Sequence, residues 1–306
     1  MRPADYEGEH YIFIVGSPRS GTTVTAETLS AHPDVAYLYE PYYLWNYRSG
    51  SGTDDQRSAA HATDETRAFV RRHCHAFWKR SGAQYVVEQS PEESLMLPLI
   101  QRTLPKARFI HAIRDGYDCV RSIAHEWHRR AKSVESRSPL EASARALGTL
   151  ARQPLWRFRA LQAAFELKES GVFSPGKWTN KSKWHGRPGW GIRIPGWEKT
   201  LEEDGSLALN ALQWSYTVER LMEGFAGPPA VAHFELRYEK LVTEPEAVVK
   251  ELQEWLGLRH EPELHARVRR NPPAQGRRQS QDELAVITPR IRDVMQRLGY
   301  PILEHP

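Results

Sequence analysis

Tyr11 to Thr23, YIFIVGSPRSGTT, constrains the fold more than any other stretch of the chain. Its first five residues, Tyr11 to Val15, are apolar or aromatic and include two Ile and a Val. So short a β-branched run reads as a buried parallel strand. Two glycines, Gly16 and Gly21, then bracket Ser17, Pro18, Arg19 and Ser20, and Thr22 and Thr23 follow. A helix can begin there, because Thr25 to Leu29 contains no breaker. A strand, a tight Gly loop and a helix N-terminus together present backbone N–H groups to a phosphate.

The nucleoside-triphosphate form of such a loop is GxxxxGK[ST], whose Lys reaches the outer phosphates. Thr22 stands in the place of that Lys, and the cation has moved inside the loop as Arg19. A loop with an internal cation followed by GTT resembles the 5′-phosphosulfate loop of sulfotransferases that use 3′-phosphoadenosine 5′-phosphosulfate (PAPS). The resemblance implies that Ser17, Pro18, Arg19, Ser20, Gly21, Thr22 and Thr23 hold the 5′-phosphosulfate. PAPS would be the co-substrate and 3′-phosphoadenosine 5′-phosphate (PAP) the product.

The second signature is FIHAIRDGYDCVRS, Phe109 to Ser122. Its first residues complete a strand, Arg114 sits at the strand end and Asp115 can cap the next helix. Ser122, eight residues after Arg114, lies about two turns into that helix. From there an Arg fork and a Ser hydroxyl can clasp one phosphate from two sides. Alone, the pair reads equally well as a capped helix with a surface charge. With the loop it resembles the 3′-phosphate-binding strand–helix of sulfotransferases, which assigns Arg114 and Ser122 to the 3′-phosphate. Arg121 is either a third cation there or a solvated helix residue.

Further strands are expected over 35–39, 84–88, 107–113 and 230–236. Helices are expected over 63–81, from Ser90–Pro91 to Pro105, 116–130, 140–169, 207–225, from Pro245, and from a Thr288–Pro289 cap onward. The alternation predicts an α/β fold: one P-loop-NTPase-like domain with a central, mainly parallel sheet flanked by helices. Ligands of such sheets bind at the C-terminal strand ends. Arg19, Glu40, Glu88 and Arg114 all fall at or just beyond such ends, although strand order is not readable from the pattern.

Sulfuryl transfer to a hydroxyl needs a base. Glu40, after the second strand and beside Tyr39, Pro41 and Tyr42, is the candidate. Partial desolvation there would raise its pKa. The position resembles that of the Glu base in tyrosylprotein and several other Golgi and bacterial sulfotransferases. Glu88 is a second acid/base candidate, with a structural role the stronger reading. Gln89 departs from the family pattern, because many relatives carry Lys there. The segment 171–199 is rich in Trp and cations (Trp178, Trp184, Trp190, Trp197, Lys181, Lys183, Arg187, Arg193). It reads either as a flap that stacks a base and grips anions or as one packed by Trp anchors. Its WGIRIPG run resembles an element of some bacterial sulfotransferases, and RYEKL at Arg237 resembles a family element of structural role. The basic loop over 267–278 precedes the last helix, and by resemblance Arg277 and Arg278 reach the 3′-phosphate.

The 306 residues are ample for a sizeable core, and a formal charge of +4 suits a small polyanion as well as nucleic acid. Cys74 and Cys119 provide no disulfide framework or metal-ligand spacing. No apolar run reaches membrane-spanning length, and Met1 to His10 carries no signal-peptide core. The expectation is a cytoplasmic, metal-free sulfotransferase with Glu40 and Arg19 catalytic. Its partner would be a hydroxyl acceptor (small molecule, lipid, sugar or peptide) rather than nucleic acid, with a homodimer possible. The rival readings are a P-loop kinase or nucleoside triphosphatase, against which Thr22 speaks, and a non-enzymatic binder of phosphonucleotides or sulfated glycans.

Overall fold

A computed structural model describes residues 2–47, 52–134, 162, 184, 190–227, 231–268 and 279–303; of residues 129–134 only the backbone is described. Trp178, Lys181, Lys183, Arg187, Arg277 and Arg278 lie outside the described residues, as does the helix expected over 140–169 apart from Gln162.

Five strands form the sheet: β1 (Tyr11–Gly16), β2 (Val35–Tyr39), β3 (Tyr85–Gln89), β4 (Arg108–Ile113) and β5 (His233–Arg237). They run in the order β2-β3-β1-β4-β5, and every pair is parallel. Register places Phe13 opposite Glu88, Gly16 opposite Ala112 and Tyr39 opposite Gln89. β1 is buried along its whole length, as its unbroken apolar run requires. By strand alternation Tyr11 and Phe13 share a face. There the Tyr11 hydroxyl donates to the Cys74 carbonyl at 3.2 Å and the Phe13 ring stacks on Phe109 at 5.4 Å.

The helices are α1 (Thr22–Leu29), α2 (Tyr42–Trp45), α3 (Asp64–Ser81), α4 (Leu97–Thr103), α5 (Gly116–Val134), α6 (Trp197–Glu203), α7 (Gly205–Ala226), α8 (Tyr238–Thr243), α9 (Pro245–Leu256) and α10 (Gln281–Arg297). One core joins the sheet to α3, α4 and α9. A second joins α5, α7 and α10 around Trp214, Ile291 and Met295.

Two expected boundaries differ. The Ser90 N–H donates to the Glu93 carboxylate at 3.1 Å, the reciprocal contact that a capping box predicts. Yet the segment it opens is a 3-10 turn, Pro91–Leu95, and the α-helix begins at Leu97. The last helix starts at Gln281 rather than at Thr288–Pro289. Its true cap is Ser280, whose Oγ accepts the Glu283 N–H at 3.2 Å while Glu283 accepts the Ser280 N–H at 2.8 Å. Pro289 is inside the helix, and Arg290 donates to the Val286 carbonyl in that turn at 2.8 Å.

The connection leaving β1 runs toward β2 on one side, and the one leaving β4 runs toward β5 on the other. The crevice between the C-terminal ends of β1 and β4 is therefore the switch point at which such sheets bind ligands.

Candidate active site

The loop after β1 is folded by its own hydroxyls. Ser20 Oγ donates to the Ser17 carbonyl at 2.7 Å, and Ser17 and Ser20 are buried. Arg19 has φ 71°, a left-handed conformation that costs a non-Gly residue on the order of 1–3 kcal/mol. Its side chain is nonetheless exposed, so the loop presents its cation outward. Gly21 has φ 99°, and a Cβ there would lie 2.6 Å from Tyr238 Cδ2. Thr22 then opens α1, with Gly21 as the N-cap residue.

Arg114, just after β4, and Ser122 of α5 meet this loop. Arg19 Nε donates to Ser122 Oγ at 3.0 Å. Arg114 Nη1 donates to the Arg19 carbonyl at 3.1 Å. The sequence put Arg19 in one phosphate loop and Arg114 with Ser122 in another, 103 residues apart for the Arg19–Ser122 pair; folding makes them neighbours. Arg114 also lies over the Tyr238 ring at 4.3 Å and 3.6 Å from Asp118, which pairs in turn with Arg121 at 2.5 Å. Its Nε is buried without a partner among the described residues. The cap expected at Asp115 is present, its carboxylate accepting the Asp118 N–H at 3.0 Å. Burial pushes the Asp115 carboxyl up to about 6.

Glu40 follows β2, with β3 between it and the β1 loop. Two strand spacings separate the two strand ends, roughly 10 Å. Its φ is 43°, its N–H donates to the Gln89 carbonyl at 3.1 Å, and Tyr42 Oη donates to its Oε2 at 2.8 Å. Burial, with Glu92 and Glu40 nearby, pushes the Tyr42 phenol up, so it remains a donor. Gln89 is buried and accepts from the Tyr37 hydroxyl at 3.2 Å.

Glu88 is fully buried inside β3, which removes it from the open strand-end edge. Of the described tryptophans in the 171–199 segment, Trp184 and Trp197 are anchors and Trp190 is half-buried. Trp184 and Trp197 are buried and meet edge-on at 4.6 Å. Arg193 is also buried, clamped to Asp55 by bonds of 3.1 and 2.9 Å to one carboxylate oxygen. It grips a protein carboxylate, so the packing alternative holds for these residues. Sequence reasoning missed Asp118, although i,i+4 and i,i+3 spacing to two arginines marks it. It also missed Ser94, which bonds both the N–H and the carbonyl of Gly16 at 2.9 Å, and Gln162, whose amide bonds both backbone groups of Tyr39. These contacts span long sequence separations and leave no local pattern.

Two convergent arginines, a hydroxyl and a loop of N–H groups at a helix start are a donor set for a doubly phosphorylated ligand. Among the described residues no group of three His, Cys, Asp or Glu is arranged to hold a metal ion, and no helix is long and apolar enough to cross a membrane.

A family model described as "Sulfotransferase family" matches residues 11–170 and 191–262. A Caenorhabditis briggsae protein named "Putative protein-tyrosine sulfotransferase" is 31% identical over 122 residues, 38% of this chain and 43% of that protein. "Nodulation protein NoeE" of Sinorhizobium fredii (strain NBRC 101917 / NGR234) is 22% identical over 130 residues, 38% of this chain and 31% of that protein. The matches thus span less than half the length of these curated relatives. Among solved structures, sulfotransferase STF9 from Mycobacterium avium superposes with a TM-score of 0.51 at 13% identity, over 99% of this chain and 80% of that one. At that identity the likeness speaks for the fold alone.

Proposed function

The chain belongs to the sulfotransferase family, and we propose that it transfers the sulfonate of PAPS to an acceptor hydroxyl. The observation that carries this reading is the convergence of Arg19, Arg114 and Ser122 at the switch point, with Arg19 bonded to Ser122 at 3.0 Å. A loop for the 5′-phosphosulfate and a helix for the 3′-phosphate are useful to one nucleotide only when they adjoin. A triphosphate gives no use for the second.

In the proposed reaction the acceptor oxygen attacks sulfur in line, the sulfur–phosphate oxygen bond breaks, and PAP leaves. Glu40 takes the hydroxyl proton. Arg19, Thr22 and the loop N–H groups stabilise charge on the sulfonate and leaving phosphate. Arg114 and Ser122 bind the 3′-phosphate. Neutralisation comes from these groups, because the reacting phosphosulfate carries less charge than a triphosphate. The hydrogen bond from Tyr42 to Glu40 orients the carboxylate. We further propose one sulfotransferase domain over residues 1–306, with a Trp-rich basic flap at about 171–199 and a C-terminal basic loop plus helix at about 265–300, and Arg277 and Arg278 as additional 3′-phosphate contacts.

The test is PAPS-dependent sulfonation of cell-extract metabolites, followed by mass spectrometry, for wild type and Glu40→Gln. Removing a general base costs about 10²- to 10⁴-fold, so Glu40→Gln should lose that much kcat while still saturating with PAPS. Near-normal turnover would move the base elsewhere, and no sulfonated product with wild type would count against the activity.

A further inference from the structure

Glu88 on β3 and Glu93 in the Pro91–Leu95 turn are both fully buried. The two carboxyls lie close enough together that each perturbs the other. The Trp45 indole N–H donates to Glu88 Oε1, and the Ser90 N–H donates to Glu93 Oε2 at 3.1 Å. The remaining oxygens, Glu88 Oε2 and Glu93 Oε1, are buried and meet no partner among the described residues. Two ionised carboxylates are acceptors only and cannot bond to one another. A single proton held between these two orphaned oxygens satisfies both.

The position of the pair matters as much as its protonation. On one side, Glu93 closes the turn that carries Ser94, and Ser94 Oγ holds both backbone groups of Gly16, the residue that opens the phosphate loop, at 2.9 Å. On the other side, Glu88 holds Trp45, the last residue of α2, the helix that follows Glu40. We propose that Glu88 and Glu93 share one proton and act as a positioning pair, which joins the phosphate loop to the segment that carries Glu40.

The other titratable groups facing the pair are Glu92 on the same turn, Cys74 from α3 and Tyr11 from β1. None of these is a cation. Burial pushes both carboxyls up, and the Glu88 charge adds to the push on Glu93. A carboxyl raised on folding takes up a proton above its unfolded pKa. Its native form is then disfavoured progressively as pH rises from that value toward the folded one.

The significance of the pair for catalysis rests on the sulfotransferase reading; its proton and its hold on Gly16 do not. The experiment is urea unfolding of wild type and Glu93→Gln at pH 5.5, 6.5 and 7.5, with amide hydrogen exchange of the peptide containing Gly16. The amide introduced by Glu93→Gln would supply its own donor to Glu88 and needs no proton. The unfolding constant of wild type relative to Glu93→Gln should rise up to about tenfold per pH unit, and exchange at Gly16 should be alike in the two. Glu93→Ala, or the milder Glu93→Asp, should speed exchange at Gly16 at least severalfold. Ser94→Ala should speed it too, while keeping the wild-type pH slope. Parallel pH dependences for wild type and Glu93→Gln would overturn the shared proton. Unchanged exchange at Gly16 in Glu93→Asp would overturn the positioning role. Neither readout needs nucleotide or turnover, so both decide the question even if PAPS proves not to be the substrate.

Discussion

Arg114 is held by the Arg19 carbonyl, the Tyr238 ring and Asp118. Only 13% of its side chain is exposed, so its cation is directed before any ligand arrives. Under the proposed reading it binds a phosphate that takes no part in bond making, whereas Arg19 borders the group that is transferred. Losing Arg114 should therefore weaken PAPS binding, by roughly 1.5–3 kcal/mol for a charge-assisted contact, or about 10- to 150-fold. Binding competition against adenosine 5′-phosphosulfate, which lacks the 3′-phosphate, checks the assignment. Wild type should prefer PAPS strongly, and Arg114→Ala should lose most of that preference. A variant that discriminates as well as wild type would mean that the 3′-phosphate binds elsewhere, with Arg277 and Arg278 the next residues to change. The places of Arg19, Arg114 and Ser122 in the fold were legible because each sits at a fixed offset from a strand end or within a helix. Their mutual contacts were not, since strand order decides them.

At the scale of elements, the buried ion pair between Arg193 and Asp55 joins the segment before α6 to the loop after α2. The same seam is closed by Trp197, whose indole donates to the Thr53 carbonyl at 2.8 Å, while Gln213 ties the segment before α6 to α7 by donating to the Ile192 carbonyl at 2.6 Å. Removing one partner of a buried pair strands the other charge, at a cost of about 3–5 kcal/mol. Asp55→Ala should lose that much stability in urea unfolding, and the double variant Asp55→Leu/Arg193→Met should recover most of it. A small loss in the single variant would show that the pair is solvated. Sequence composition alone could not separate this role from anion binding, because an Arg flanked by Trp looks the same in both. Strand positions were readable for the opposite reason: a short apolar run such as Tyr11 to Val15 has few alternatives. The α10 start was misplaced because Pro289 suggested a beginning, while the box formed by Ser280 and Glu283, earlier in the chain, was the stronger signal.

For the whole molecule, the order β2-β3-β1-β4-β5 puts the β1 and β4 loops on either side of the switch point, with Glu40 two strands away from the β1 loop. That arrangement suits a nucleotide anchored at two phosphates with an acceptor approaching from the β2 side. Under the proposed reading the site takes a 3′-phosphorylated nucleotide and not a triphosphate. A thermal-shift series with PAP, adenosine 5′-phosphosulfate and Mg·ATP tests it most directly. A ligand at a hundredfold excess over its Kd stabilises the native state by about 2.7 kcal/mol. PAP should give the largest rise in Tm, adenosine 5′-phosphosulfate a smaller one and Mg·ATP the least; a rise with Mg·ATP equal to or larger than that with PAP would contradict the account.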